Sequence, residues 1–146
     1  MEIIISFTGT QSGMTDKQQS VVKGILHGCY VSGARKVHHG MCIGADNQFH
    51  NLAVEIGFTI FGHPGLNKFR KVWNRADVKC DITYPEKYFL DRNLDIVNSG
   101  TILIATPKGF KEETRSGTWA TIRCAKRLHK EIYIVWPNGN TEYIKG

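Results

Sequence analysis

The sequence predicts an α/β fold of three layers, α/β/α, built on a five-stranded, mainly parallel sheet in the order 3-2-1-4-5. Strand and helix patterns alternate along the chain, which points to a parallel sheet with helices on both faces. The run Thr101-Ile102-Leu103-Ile104-Ala105 is nearly all apolar, so it belongs to a central strand covered on both sides. Right-handed crossovers then set the order of the strands. A length of 146 residues fits one domain, 1–146, with room for a real core.

Glu2 to Phe7 is short and β-rich, and the polar loop from Thr8 to Gly13 follows it. Thr15 suits a helix N-cap, with Gln18 at the capping-box position three residues on. Val21, Val22, Ile25, Leu26 and Cys29 form one apolar helical face that ends near Gly33. Lys36 to His39 is a second strand running into Gly40-Met41-Cys42-Ile43-Gly44. Asp46 starts a second helix, in which Phe49, Leu52, Ala53 and Ile56 keep helical spacing until Gly57 stops it. Phe58 to Phe61 makes the third strand. Residues 63 to 85 carry no regular period, and Lys68 to Arg75 reads as a short helix or an exposed excursion. A helix from Pro85 to about Asn98 leads into the central strand. Ile122, Ala125 and Leu128 line the last long helix, Ile132 to Val135 closes the sheet, and the tail after Trp136 is short.

A formal charge of +6 and a pI near 9.2 favour anionic partners, although the same charge also serves solubility. Cys29, Cys42, Cys80 and Cys124 are scattered without a CxxC pair and read as reduced thiols. The N-terminus turns polar too early for a signal peptide, and no apolar run approaches the roughly 20 residues of a membrane span. A cytoplasmic location with no membrane partner is expected.

In an open parallel sheet, ligands bind beyond the carboxyl ends of the strands where the strand order reverses. Three loops converge there. The first holds Gly9, Thr10, Gln11 and Ser12; it is not a GxGxxG turn, and the chain has no GxxxxGK[ST] phosphate loop. The second holds Gly40, Gly44, Ala45 and Asp46, where small residues allow close backbone approach and Asp46 could cap the helix or hold a ribose hydroxyl. The third precedes Ser116-Gly117-Thr118, a helix start whose free N–H groups suit an anion. Arg92 and Asn93 lie before the central strand and Arg115 after it; guanidinium forks match phosphate oxygens. His38 and His39 face opposite sides of a strand and lack a ligand-spaced partner, so no metal site is expected. His63 could line the pocket edge. Lys68 to Arg75 interleaves basic and aromatic residues, a pattern that can serve single-stranded nucleic acid.

Segments of the chain match, in order, motifs of a known superfamily. GMCIGADNQFHNLAVEIG is similar to a Gly-rich turn entering a helix at Gly-Ala-Asp or Gly-Ile-Asp. YFLDRNLDIVNSGTILIATP is similar to a Phe-x-x-Arg-Asn helix with its central strand, and SGTWATIRCAKRLHKEIYIVWP to a Ser-Gly-[Ser/Thr]-x-x-Thr helix with its final strand. The chain therefore resembles the SLOG superfamily of Rossmann-like nucleotide-binding domains, closest to the branch of DNA-processing protein A. That resemblance implies a nucleotide or nucleotide-derived ligand in the same loops, and often a homo-oligomer. The superfamily's phosphoribohydrolases carry a catalytic glutamate; aligned on Gly117-Thr118, this chain has Thr121 in its place, with Glu112 and Glu113 nearby.

The expected function is therefore non-catalytic binding of a nucleotide-derived signal, ADP-ribose-like or cyclic, sensed or sequestered as in prokaryotic and phage immunity. No catalytic residue and no cofactor are assigned. An N-glycosidase using another acid, and single-stranded DNA binding through the basic segment, stay open as alternatives.

Overall fold

A computed structural model describes residues 2–146. In chain order the elements are β1 (Ile4–Gly9), α1 (Asp16–Val31), β2 (Lys36–His39), α2 (Ala45–Ile56), β3 (Thr59–Gly62), β4 (Gly65–Leu66), β5 (Ile82–Thr83) and β6 (Lys87–Tyr88). They continue with α3 (Phe89–Ser99), β7 (Ile102–Thr106), α4 (Gly117–Arg127), β8 (Glu131–Val135) and β9 (Thr141–Ile144). The main sheet is α/β in character and mostly parallel, but it corrects the expected count and order. It has seven strands, in the order β5-β3-β2-β1-β7-β8-β9. The five strands read from the sequence form its interior, and an extra strand lies at each edge.

Both additions have a physical reason for escaping a periodicity reading. β5 is two exposed residues, paired in parallel with Phe61 and Gly62 of β3, too short to show alternation. β9 arises because Pro137 to Asn140 turns the chain back, with Gly139 at φ 87°, so the supposed tail pairs antiparallel with β8. Residues 63 to 85 contain no helix; β4 and β6 instead form a separate two-stranded ribbon. α3 begins at Phe89 rather than near Pro85, because Lys87 and Tyr88 are held in that ribbon.

Each face of the sheet carries its own core. On one, Ile5, Phe7, Val22, Leu26, Phe49 and Ile60 are fully or almost fully buried under α1 and α2, and the rings of Phe7 and Phe49 stack at 4.2 Å. On the other, Leu103, Trp119, Ile122, Ala125, Ile132 and Ile134 pack under α3 and α4. Burying a side chain of this size contributes about 1.5–3 kcal/mol, so these two layers supply the main favourable term. All five residues of β7 are buried, as the apolar run required.

The capping box of α1 reaches further than its own helix. Thr15 Oγ1 accepts from Gln18 N–H, and Gln18 Oε1 accepts from Thr15 N–H. The buried Gln18 Nε2 then donates to the carbonyls of Pro107 and Val135, both at 2.9 Å. One glutamine thus ties the start of α1 to the chain leaving β7 and to the end of β8. That fixes the loop ends around which the site is built.

Candidate functional site

A cavity of about 710 Å³ opens at the carboxyl ends of β1, β2 and β7. Gly9, Thr10 and Gln11 line it from the loop after β1, and Gly40 and Asp46 from the turn after β2. Arg92 and Asn93 line it from α3, and Arg115, Ser116, Gly117 and Thr118 from the start of α4. Ser12, Gly44 and Ala45 do not line it; their part is to hold the loops together.

That holding is specific. Gly44 has φ 82°, and a Cβ there would collide with the Gln11 carbonyl. Ala45 N–H donates to the Thr10 carbonyl at 3.0 Å, and Gly13 N–H to the same oxygen at 3.1 Å. A third segment is stitched on: Asn74 Nδ2 donates to Gln11 Oε1 at 2.7 Å, while Ile43 N–H donates to the Asn74 carbonyl. The irregular stretch around residue 74 therefore clamps the rim of the cavity.

The cationic residues differ in what they have left to offer. Arg92 is buried and its guanidinium is committed: Nη1 donates to the carbonyls of Gly40 (2.6 Å) and His63 (3.1 Å), and Nε to Asn93 Oδ1. Gly40 has no side chain because a Cβ would come within 2.6 Å of that Nη1. Arg115 is exposed, lines the cavity and makes no ion pair among the described residues. Lys108, absent from the sequence-based set, lines it too. Ser116 is the N-cap of α4, its Oγ accepting from Trp119 N–H, which leaves the N–H groups of Gly117 and Thr118 without intrahelical partners. A Cβ on Gly117 would meet nothing within 4 Å, so backbone there faces open space.

Asp46 is not the helix cap that its position suggested. Gly44 occupies the N-cap, and Asp46 Oδ2 instead accepts from Cys42 N–H at 3.1 Å. Burial pushes its carboxyl up to about 6, with the nearby Arg92 charge pulling the other way. Of the two glutamates near the helix start, Glu112 pairs with Arg123 at 2.8 Å, whereas the exposed Glu113 lines the cavity. Thr121 is buried and its Oγ1 donates to the Gly117 carbonyl, so it takes no part in the lining.

The aromatic lining was not legible in advance. Trp73, from the irregular segment, and Phe89, at the start of α3, lie with ring centroids 5.7 Å apart, and both line the cavity. The only available signal was the basic-aromatic alternation of residues 68 to 75, which pointed to nucleic acid rather than to this pocket.

The histidines do not enter the cavity. His38 Nδ1 and His63 Nε2 share a proton at 2.8 Å on one side of β2, and burial holds both to about 4. His39 faces the other side, where His50 Nδ1 lies 2.9 Å from its Nε2.

No family model and no curated protein matches the sequence. Among solved structures, the fold is similar to the molybdenum cofactor binding protein from Rippkaea orientalis, at 18% identity and a TM-score of 0.67, over 93% of this chain and 77% of that one. It is similar to the molybdenum cofactor carrier protein from Chlamydomonas reinhardtii, at 18% identity and a TM-score of 0.61, over 92% and 76%. It is also similar to DNA processing protein A from Helicobacter pylori, at 15% identity and a TM-score of 0.64, over 90% of this chain but only 64% of that one. No helix of the described residues is long and apolar enough to cross a membrane. At these identities the likeness establishes the fold alone, a Rossmann-like α/β domain, and does not single out the branch of DNA-processing protein A.

Proposed function

We propose that the chain binds a phosphate-bearing, nucleotide-like small molecule and holds it without cutting it. The observation that carries this reading is the pairing, on one cavity, of an unengaged cationic edge with an aromatic pair. Arg115, Lys108 and the N–H groups of Gly117 and Thr118 would hold phosphate. Trp73 and Phe89 would meet the base, and Gly9 to Gln11 with Asn93 would seat the sugar. Arg92 would act from beneath, by fixing Gly40 and balancing Asp46.

Holding rather than cutting follows from the acids. Thr121 is bonded back into its helix and Glu112 is paired with Arg123, which leaves Glu113 and the buried Asp46 as the cavity's carboxyls. Asp46 already accepts from Cys42 N–H and faces the Arg92 charge, which supports a structural use for it and leaves Glu113 as the one uncommitted carboxyl. The carrier and binding proteins of similar fold accord with a holding role. Within that role we favour a signalling nucleotide, ADP-ribose-like or cyclic, that is sensed or sequestered as in prokaryotic and phage immunity.

Native mass spectrometry of the protein as purified, and after incubation with AMP, NAD and cyclic nucleotides, tests the reading. Return of intact ligand in one-to-one stoichiometry is the expected result. Release of a free base would replace the binder with a glycosidase, with Glu113 as its first candidate acid, and absence of any nucleotide adduct would overturn both.

A second reading has one observation behind it. Phe69 is 70% exposed with Lys68 Nζ 5.2 Å over its ring, beside the exposed Arg70 and Lys71. An exposed ring among cations suits a single-stranded nucleic acid. Such binding should weaken steeply with salt and with Lys68→Ala or Arg70→Ala; a flat salt response would dispose of it.

A further inference from the structure

Behind the cavity, on the α2 side of β2, three donors from three separate parts of the chain meet. His39 ends β2, His50 lies on α2 and Cys80 precedes β5. His39 Nε2 and His50 Nδ1 are 2.9 Å apart, and Cys80 Sγ lies 3.9 Å from the first and 4.0 Å from the second. A point equidistant from all three falls about 2.1 Å from each, the circumradius of that triangle, which matches metal–nitrogen and approaches metal–sulfur bond lengths.

The surroundings place a second sulfur near the first and give a reason for a glycine. A Cβ on Gly62 would come within 2.5 Å of Met41 Sδ and 2.7 Å of Cys80 Sγ, so the missing side chain makes room for two sulfurs side by side. Asp81 Oδ2 accepts from Ile60 N–H at 2.7 Å, which anchors the residue after Cys80 to the sheet. His39 is fully buried, His50 nearly so, and Cys80 half-buried.

We propose that His39, His50 and Cys80, with Met41 as a weaker axial donor, form a site for one monovalent copper ion. Two imidazoles, a thiolate and a thioether make a soft donor set, and a trigonal arrangement of the first three suits that ion. Charge is compatible with that choice: a monovalent ion and one thiolate sum to zero, in surroundings where Arg92 is offset by the Asp46 and Asp81 carboxylates. Zinc takes four firm ligands in a tetrahedron, whereas here two imidazoles and one thiol lie within 4.0 Å of one another and the remaining neighbour is a thioether.

The proton balance is explicit. His39 Nδ1 accepts from Met41 N–H at 3.0 Å, so its ring proton sits on Nε2, facing His50. On binding, Cys80 loses its thiol proton to solvent, the His39 proton moves from Nε2 to Nδ1, and Met41 N–H turns away from the ring. The copper ion gains two nitrogen lone pairs and a thiolate, and no change of oxidation state is involved.

The test is an anaerobic titration of the reduced, chelator-stripped full chain with Cu(I), in competition with a chromogenic Cu(I) chelator. One ion per chain and one proton released are expected, with a shift of the Met41 amide resonance that a surface thiol would not produce. Cys80→Ser, nearly isosteric and checked for an unchanged melt, should abolish one-to-one binding; Met41→Leu should weaken it; Cys29→Ser should leave it intact. X-ray absorption should show nitrogen and sulfur neighbours together. The site is overturned if copper fails to bind stoichiometrically, if Cys80→Ser binds as well as the wild type, or if the Met41 amide does not move. Zinc bound in preference, with tetrahedral absorption from a Co(II) stand-in, would overturn the choice of ion.

Discussion

Arg92 Nη1 donates to the Gly40 carbonyl at 2.6 Å, so a charged side chain from α3 fastens the carboxyl end of β2. The same nitrogen reaches the His63 carbonyl beyond β3. Arg92→Ala would strand two buried carbonyls and remove the cation whose charge favours the Asp46 carboxylate. With each stranded group costing about 1–3 kcal/mol, the expected loss is about 2–6 kcal/mol, read as a lower denaturant midpoint. An unchanged midpoint would mean that this arginine is held for the ligand alone.

Arg115→Ala should behave in the opposite way. Its side chain is exposed and makes no ion pair among the described residues, so the melt should stay where it is. Affinity for the nucleotide recovered by native mass spectrometry should fall roughly ten- to a hundredfold, the loss of one charge-assisted contact. Calorimetric titration of both proteins gives the comparison.

Trp73→Ala removes one ring of the aromatic pair at the cavity. Stacking of a base on an aromatic side chain is worth about 1–3 kcal/mol, so affinity should drop by that amount with little change in stability. In the wild type, quenching of indole fluorescence on ligand addition is the accompanying signal, to be read against Phe89→Leu.

Asp46 gives a pH dependence of defined sign. Its folded-state value, pushed up to about 6 by burial, lies above the ordinary 3.8. Between those two values the folded chain keeps a proton that the unfolded chain has lost, so the group's contribution to stability falls as pH rises through the window. Asp46→Asn stays neutral throughout and can still accept from Cys42 N–H. The variant should therefore gain on the wild type by about 2–3 kcal/mol from low to neutral pH. Urea melts of the pair across that range would show parallel curves if the carboxyl were not buried as described.

Two cavity-region glycines should respond differently to alanine. Gly44 combines φ 82° with a collision against the Gln11 carbonyl, so Gly44→Ala should destabilise by at least about 1–3 kcal/mol. Gly117 opens α4 with nothing within 4 Å of a built Cβ, so Gly117→Ala should melt at or slightly above the wild type. Thermal unfolding of both variants separates a glycine required by the backbone from one that merely leaves space.

The legible parts of the molecule were those written in local pattern. The apolar run of β7, the capping box at Thr15 and Gln18 and the capped start of α4 at Ser116 each depend on residues a few positions apart. What escaped depends on distant contacts. Arg92 carries the same signal in sequence whether its fork is free or spent on carbonyls at residues 40 and 63. Trp73 reaches the cavity only because Asn74 is hydrogen-bonded to Gln11 and Ile43. His39 had no ligand-spaced neighbour in sequence, and folding brings it two, from α2 and from the chain before β5. Of the edge strands, β5 has two residues, too few for alternation to show, and β9 is exposed except at Ile144, so no buried face marks it.

Those short edges bear on how the molecule can meet its own kind. An incoming strand needs a row of unpaired backbone groups to add to, and β5 offers two residues while β9 offers four, carrying Glu142 and followed by Lys145. Continuous growth of the sheet from one copy to the next has almost no template at either end. Any contact between copies would then have to use helical faces or loops instead of a shared sheet.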